Sequence, residues 1–336
     1  MSDYEARPTA VHLLLSPRIG GAETLVAGLV ETQTVPTQIM YLDPLGERSV
    51  GRISRVVRLR RELRRIDPSV IFAHSFLPAF YARLSWGRRA KIVVVLHSAS
   101  DDYESRSVRI AERILQFFTA HVVAVSASQL QQYQKRFPNF DRVSVVPNGV
   151  AFCDLRDRSD QVPTRVGCVA RLASQKRPEL WAAVADELSE SEGLSFTWWG
   201  PGVLSDRLLA SSANFAGPTP DFANVVDSID ILFSTSEREA HPIGILEALG
   251  AGIPVVCHEA VAATVGSDAP IVTFGDRSTE GASRALRICV ERYAEIARET
   301  WQFGVKVRQT HGMTVCAREY DGLVSRYAGN AMSRRR

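Results

Sequence analysis

Short apolar runs punctuate the chain, and the segments between them carry apolar residues at helical spacing. In the first half the runs occupy 11–15, 38–42, 70–74, 92–97, 122–126 and 143–147, with helical stretches at 22–31, 57–66 and 108–118. The second half repeats the grammar, with runs at 166–170, 195–199, 213–216, 229–233, 254–257 and 271–274 and helical stretches at 178–188 and 243–251. Apolar runs of about five residues without polar alternation predict strands buried on both faces, and hence parallel sheets with helical crossovers. The fold class is therefore α/β, with two Rossmann-like, doubly wound domains. The polar, aperiodic stretch 154–163 predicts the linker, giving domains over 1–155 and 160–312. In such sheets ligands bind beyond the carboxyl ends of the strands, so two sheets facing each other would place the site in the cleft between them.

Composition changes this picture little. A chain of 336 residues suits two cores, and 45% hydrophobic with 23% charged residues excludes a disordered chain. The five cysteines stand apart, without a CxxC pair, which argues against a disulfide framework or a zinc site and for a reducing cytoplasm. No run approaches the ~18 apolar residues of a membrane span, and the N-terminus lacks a basic segment followed by an apolar one. A net charge of +3 is too small to imply a nucleic-acid partner. The charge is uneven, however: 52–65 holds seven arginines and one glutamate, and the chain ends in three arginines. That helix is loosely amphipathic, with Ile53, Val56, Val57, Leu59 and Leu63 on one side. Arg52, Arg60 and Arg64 intrude on that side. The segment fits a solvated surface helix, a weak contact with an anionic membrane surface, or the binding of an acidic acceptor.

Candidate chemistry gathers just after the strands. The strongest segment runs from Ser234 through Glu239, Ala240, His241 and Pro242 to Glu247 and Val256. Pro242 suits a helix start. From Ile243 to Ala251 the only charge is Glu247, a lone carboxylate on a helix otherwise apolar all round. Such a group needs partners, and a structural arginine or the hydroxyls of a ribose would both serve. A second segment, Arg171 to Lys176 and Pro178, again leads from a strand into a helix. Its two cations could neutralise an anion over the helix N-terminus, or stand solvated on a loop. A third, Ser16 to Gly20, Gly21 and Glu23, follows the first strand. It is neither a GxGxxG nor a Walker loop, and a tight turn would look the same. His97 ends a strand in the middle of the first domain, as a capping or core histidine also would.

Glu239 and Glu247, seven residues between them, at a loop-to-helix junction followed by small residues and Pro-Val-Val, resemble the signature of retaining GT-B glycosyltransferases of family four, also called glycosyl transferases group 1. The resemblance implies that Glu239 contacts the donor sugar and Glu247 the nucleotide ribose. Backbone N–H groups near His241, Ile243 and Gly244 would then hold phosphate at the helix N-terminus. It implies further that Arg171 and Lys176 clamp the donor diphosphate, that Gly20 and Gly21 lie over the donor phosphate, and that His97 sits near the transferred sugar. The segment Ala240-His241-Pro242 departs from the usual Gly-Phe-Gly. Pro242 has no N–H to give, and His241 is a bulkier group at the sugar. A last helix, about 315–330, would cross back to the first domain.

The reaction so implied moves a hexose-type sugar from a nucleoside diphosphate donor, UDP-sugar first, to a hydroxyl. The acceptor would be a saccharide or lipid-linked saccharide of cell-envelope or polysaccharide synthesis, or alternatively a soluble natural product. No paired Asp-x-Asp motif is present, only Asp101-Asp102, so the expected chemistry needs no metal and no cofactor. Rival classes are a nucleotide-sugar epimerase and a non-catalytic nucleotide-sugar-binding protein.

Overall fold

Parallel pairing organises both halves of the chain. The computed structural model describes residues 9–17, 21–44, 51–86, 90–97, 103, 105–219 and 222–332, and in it the protein divides into two units. The first comprises the chain up to Gly149 together with the segment from Met313 onward, and the second is Val150–Gly312.

The first unit runs β1 (Ala10–Leu14), α1 (Gly21–Thr32), β2 (Thr37–Tyr41), α2 (Arg52–Ile66), β3 (Val70–His74), α3 (Phe76–Trp86), β4 (Lys91–Leu96), α4 (Arg106–Leu115), β5 (Thr119–Ala124), α5 (Ala127–Arg136) and β6 (Val143–Val145). Its six strands pair in the order β2-β1-β3-β4-β5-β6, all parallel. Side chains alternate between two buried layers, as both-face burial requires. Val11, Leu13, Ile71 and Val94 pack on one face with Leu59 and Leu63 of α2. Ala10, Val70, Phe72 and Val95 pack on the other with Leu25 and Leu29 of α1.

The second unit contains β7 (Arg165–Val169), α6 (Pro178–Glu192), β8 (Ser195–Trp199), α7 (Asp206–Leu209), β9 (Asn214–Gly217), β10 (Ile231–Ser234), α8 (Ile243–Gly250), β11 (Val255–His258), α9 (Glu259–Val265), β12 (Ile271–Phe274), α10 (Thr279–Glu291) and α11 (Tyr293–His311). Its sheet order is β12-β11-β10-β7-β8-β9, again parallel throughout. The last helix, α12 (Met313–Met332), belongs to the first unit, where Cys316, Ala317, Tyr320, Leu323 and Val324 cover the β1–β3–β4 face.

One detail differs from the sequence reading in an informative way. The apolar residues of α2 do not share one side. Leu59 and Leu63 are buried, whereas Ile53 and Val57 are exposed, 81% and 61%, in one row with the exposed Arg60 and Arg64. At 100° per residue, 53, 57, 60 and 64 fall on one line and 59 and 63 on another. The five cysteines are all free thiols, four of them buried. Burial pushes the Cys257, Cys289 and Cys316 thiols up to about 12, so they pack as small apolar groups.

Candidate functional site

Each sheet has a switch point, where neighbouring strands send their connections in opposite directions and leave a crevice at their carboxyl ends. In the second unit the neighbours are β7 and β10. The two strongest sequence motifs are the loops that leave these two strands.

The loop after β7 is held from one side by the loop after β8. Ala170 N–H donates to Trp199 O (2.9 Å) and Leu172 N–H to Pro201 O (2.8 Å), which prolongs the ladder past both strands. Close approach explains Gly200: a Cβ there would lie 1.8 Å from Ala170 O. A 3-10 turn over Ser174–Lys176 follows, and Arg177, in the left-handed region at φ 51°, turns the chain into α6 with Pro178 at its first turn.

From the other side the loop after β10 is stitched to it. Thr235 Oγ1 donates to Lys176 O (2.8 Å), Glu237 N–H to Gln175 O (3.1 Å), and Gln175 Nε2 to Arg238 O (2.6 Å). These bonds bring Lys176 Nζ against Glu239 Oε1 as a half-buried ion pair, with side-chain exposures of 21% and 15%. Arg171 stands exposed at the mouth of the same loop.

Just beyond, α8 begins at Ile243. Ile245 and Leu246 N–H both donate back to Pro242 O (3.1 Å), so the leading donors of the helix are the N–H groups of Ile243 and Gly244. Gly244 packs near Val169 O at the end of β7, 3.5 Å from where its Cβ would be, and 4.0 Å from Glu247 Oε2. Glu247 is half-buried on a helix whose Ile245, Leu246, Ala248 and Leu249 are fully buried. Lys176, Glu239, Gly244 and Glu247 thus surround one switch point. Arg308 of α11 donates to Gly250 O (2.9 Å) and tethers the other end of α8.

His241, expected as a bulkier group near the sugar, is a buried residue of the same loop. Its ring is buried and stacked on His311 at 5.3 Å, and its Nδ1 has no partner among the described residues. Burial, with His311 adding to it, holds it down to about 3, so it is neutral.

In the first unit β1 and β3 flank the switch point. Gly21 is the exposed first residue of α1, while Gly20 and the pair Asp101-Asp102 lie outside the described residues. His97 follows β4 and is the end of a chain of imidazoles that the sequence reading missed. His12 Nδ1 meets His74 Nε2 at 2.8 Å, and His74 Nδ1 meets His97 Nε2 at 2.7 Å. The register explains it: His12 pairs with Phe72 and His74 with Val95, so each histidine lies one strand over and two residues further on, on one face. Burial lowers all three, His12 and His97 to about 4 and His74 well below its ordinary value. One histidine within or at the end of each of three neighbouring apolar runs, at 12, 74 and 97, was the available signal. Among the described residues no group of three or more His, Cys, Asp or Glu is placed to hold a metal ion.

Comparisons with known proteins bear on both units. A family model described as "Glycosyltransferase Family 4" matches residues 5–152, and one described as "Glycosyl transferases group 1" matches residues 163–290. The chain is 24% identical over 245 residues to the putative teichuronic acid biosynthesis glycosyltransferase TuaC of Bacillus subtilis. That match takes in 67% of the chain but only 60% of the relative's length. Among solved structures, HepE of Anabaena, in complex with UDP and glucose, superposes with a TM-score of 0.75 at 16% identity, covering 95% of this chain and 99% of that one. Sucrose-phosphate synthase of Thermosynechococcus elongatus gives 0.75 at 15% identity, with the same coverage of 95% and 99%. At such identities these likenesses concern the fold.

Proposed function

We propose, from the premise that this chain belongs to glycosyltransferase family 4 of the group 1 glycosyl transferases, that it moves a hexose-type sugar from a nucleoside diphosphate sugar to a hydroxyl acceptor, with retention at the anomeric carbon. The observation that carries this reading is the Lys176–Glu239 pair beside the leading N–H groups of α8 at the β7/β10 switch point. An anionic diphosphate fits there because helix-terminal N–H groups and cations favour the same charge. Ile243 and Gly244 N–H, Arg171 and Lys176 take the diphosphate, and Lys176 is already turned toward Glu239, which takes the sugar hydroxyls. Glu247 accepts from the ribose hydroxyls. The family resemblance assigns Gly20 and Gly21 to the donor phosphate and His97 to the transferred sugar. The buried His241 ring shapes the sugar end by fixing the loop between Glu239 and α8.

In the reaction the bond from the anomeric carbon to the β-phosphate oxygen breaks and the acceptor oxygen bonds to that carbon on the same face. The acceptor proton passes to the leaving phosphate. Lys176 and Arg171 stabilise the charge that builds on the diphosphate, the largest catalytic contribution these residues can make. No metal is needed, because cations and helix N–H groups already supply that stabilisation. UDP is the first choice of nucleotide, since HepE was solved with UDP and glucose. The acceptor proposed is a saccharide or lipid-linked saccharide of the cell envelope, in line with the teichuronic acid assignment of the Bacillus relative.

Two exposed helix rows favour the lipid-linked form. No described helix is long and apolar enough to cross a membrane. Yet α4 and the turn after it expose Ile110, Ile114 and Phe117, at 50%, 66% and 66%, in one row with the exposed Arg106 and Arg113. With Ile53, Val57, Arg60 and Arg64 of α2, this is the composition of a helix face that lies on an anionic lipid surface.

Thermal stabilisation across a panel of nucleotide sugars tests the donor, followed by transfer assays in EDTA with the stabilising donor. UDP-glucose is expected to raise the melting temperature and EDTA to leave transfer unchanged. Full activity in a Glu239→Ala variant would overturn the assignment of the sugar contact. Cosedimentation with phosphatidylserine vesicles, but not with phosphatidylcholine vesicles, is expected from the α2 and α4 faces.

A further inference from the structure

The imidazole chain does not stop at His12. His12 Nε2 meets Gln33 Oε1 at 2.9 Å, and Gln33 Nε2 donates to Asp321 Oδ1 of α12 at 3.1 Å. The other oxygen of Asp321 is occupied by Thr34 N–H (2.8 Å) and Thr34 Oγ1 (2.6 Å), which fix the carboxylate in place. The chain lies in an apolar layer, with His12 packed on Phe72 and Tyr320, so each ring nitrogen needs a partner of the right kind.

One ionised group then sets every proton in the row. A carboxylate only accepts, so the Gln33 amide must give Asp321 its NH2 and turn its oxygen toward His12. His12 therefore donates from Nε2 and, being neutral, accepts at Nδ1. His74 donates from Nε2 to His12 and accepts at Nδ1. His97 donates from Nε2 to His74. The opposite polarity would set the amide oxygen against the carboxylate and lose the bond at the head of the chain. We propose that Asp321, acting through Gln33, His12 and His74, fixes His97 in the tautomer protonated at Nε2, so that its Nδ1 offers a lone pair and accepts a hydrogen bond from a substrate hydroxyl. That Asp321, Gln33, His12 and His74 are positioning residues for substrate rests on the reading of His97 as a sugar contact. The tautomer itself does not. The row is no proton conduit, because it ends on an amide oxygen, which does not take up a proton at ordinary pH. The low proton affinity of all three imidazoles agrees with a neutral row.

The tautomer is readable in the whole protein by long-range 1H–15N correlation of histidine-labelled samples. Wild type is expected to show His97 with a protonated Nε2 and an unprotonated Nδ1. A protonated Nδ1 in the wild-type spectrum overturns the proposal without recourse to any variant. Asp321→Asn frees the Gln33 amide to turn, and the two His97 nitrogen resonances are expected to move toward each other as tautomers mix. In Gln33→Glu combined with Asp321→Asn, carboxylate and amide exchange places. The residue at 33 again only accepts and the wild-type His97 signature returns, which a merely structural loss would not do. A single variant with an unmoved His97, or a double variant without recovery, counts against the relay. UDP-glucose separates the two readings. If His97 keeps its tautomer but its Nδ1 resonance ignores saturating donor, the sugar contact fails and the relay stands.

Discussion

The two switch points are built on the same strand geometry and filled with opposite chemistry. At β7/β10 the polar groups are charged, half-exposed and held by loops: Lys176 with Glu239, Arg171 at the mouth, Glu247 on a buried helix. At β1/β3 they are neutral and carried by strands or their ends: His12 and His74 buried, His97 partly buried just after β4, with no formal charge until Asp321 on α12. A half-exposed loop can carry charge because water and the ligand share the cost of solvating it. A layer between strands and helix cannot, so its polar groups are neutral and joined to one another. The first arrangement suits stabilising a charge that appears during reaction. The second suits presenting one hydrogen-bonding group in one fixed orientation.

The sharpest way to break this contrast is to remove the charge at β7/β10. Lys176→Ala is expected to lower transfer by about 10²–10³-fold, the size of effect that follows loss of one preorganised donor to a developing anion. Stability should fall by about 1 kcal/mol at most, because the pair is partly solvated and exposed pairs contribute little. Steady-state kinetics beside a denaturant melt measure both. A large loss of stability with modest loss of rate would make the pair a structural clasp instead.

Acid attacks the other side of the comparison. His12, His74, His97 and His121 in the first unit are all held below 6.5 by burial, His121 also by Arg326 and Arg142. In the second unit His241 and His311 are similarly lowered. Each is neutral when folded and takes up a proton on unfolding below pH 6.5. Their stabilisation is thus whole above pH 6.5 and drains away as pH falls toward about 4. For His12, a shift from 6.5 to about 4 amounts to roughly 3 kcal/mol at the acid end. The second unit also holds depressed carboxylates, which yield only at lower pH. Burial of Asp230 is outweighed by hydrogen bonds from Arg165 and the Thr164 and Arg165 N–H groups, and Glu295 is bonded by Arg292. Hydrogen exchange at pH 7 and pH 5 is expected to show strands β1, β3 and β4 losing protection before β7, β10 and β11. The reverse order would mean that the histidine row is not what limits the first unit.

These two sites were unequally legible in the sequence. Strand positions could be read because both-face burial leaves unbroken apolar runs, and 70–74, 195–199 and 271–274 coincide with β3, β8 and β12. Lys176, Glu239 and Glu247 could be read because their residue types are conspicuous at strand ends and on an apolar helix. That Lys176 and Glu239 meet could not, since 63 residues separate them and only the stitched loops bring them together. The histidine row was less visible still. His12 and His74 sit inside runs that read as core, and Gln33 and Asp321 are 288 residues apart. The exposed row on α2 was blurred for a related reason: its apolar residues were counted as one face, whereas the helix splits them between core and solvent.

A smaller effect sharpens the charged site from within. Glu247 stands out because no other residue of α8 is polar and most are buried, whereas its own carboxylate reaches back toward Gly244. If it accepts from ribose hydroxyls, Glu247→Gln keeps the shape but exchanges a charged acceptor for a neutral one. Donor affinity should drop about tenfold, roughly 1.5 kcal/mol, the worth of a hydrogen bond to a charged group. The catalytic constant at saturating donor should change little, because the ribose is bound alike in ground and transition states. Isothermal titration with the donor and its nucleoside diphosphate measures the first expectation. A variant that binds both normally but turns over slowly would move Glu247 from ribose to reaction centre.

The smallest expected effect separates charges that serve the site from charges that merely line its rim. Glu237 lies two residues before Glu239, yet its carboxylate faces away, 3.8 Å from Arg177 Nε and 3.5 Å from Arg277 Nη1. Arg277 is 67% exposed, so water screens that contact and the long side chain loses entropy in making it. Arg277→Ala should therefore alter stability by no more than about 0.5 kcal/mol. Transfer should stay within a factor of about two of wild type, because Arg177 still faces Glu237 and the bond from Glu237 N–H to Gln175 O is untouched. Arg277→Ala and Lys176→Ala each delete one cation from the same group of loops. A ratio of about 100 between their activities would locate the function in the half-buried pair, whereas similar losses would mean that the loops respond to net charge.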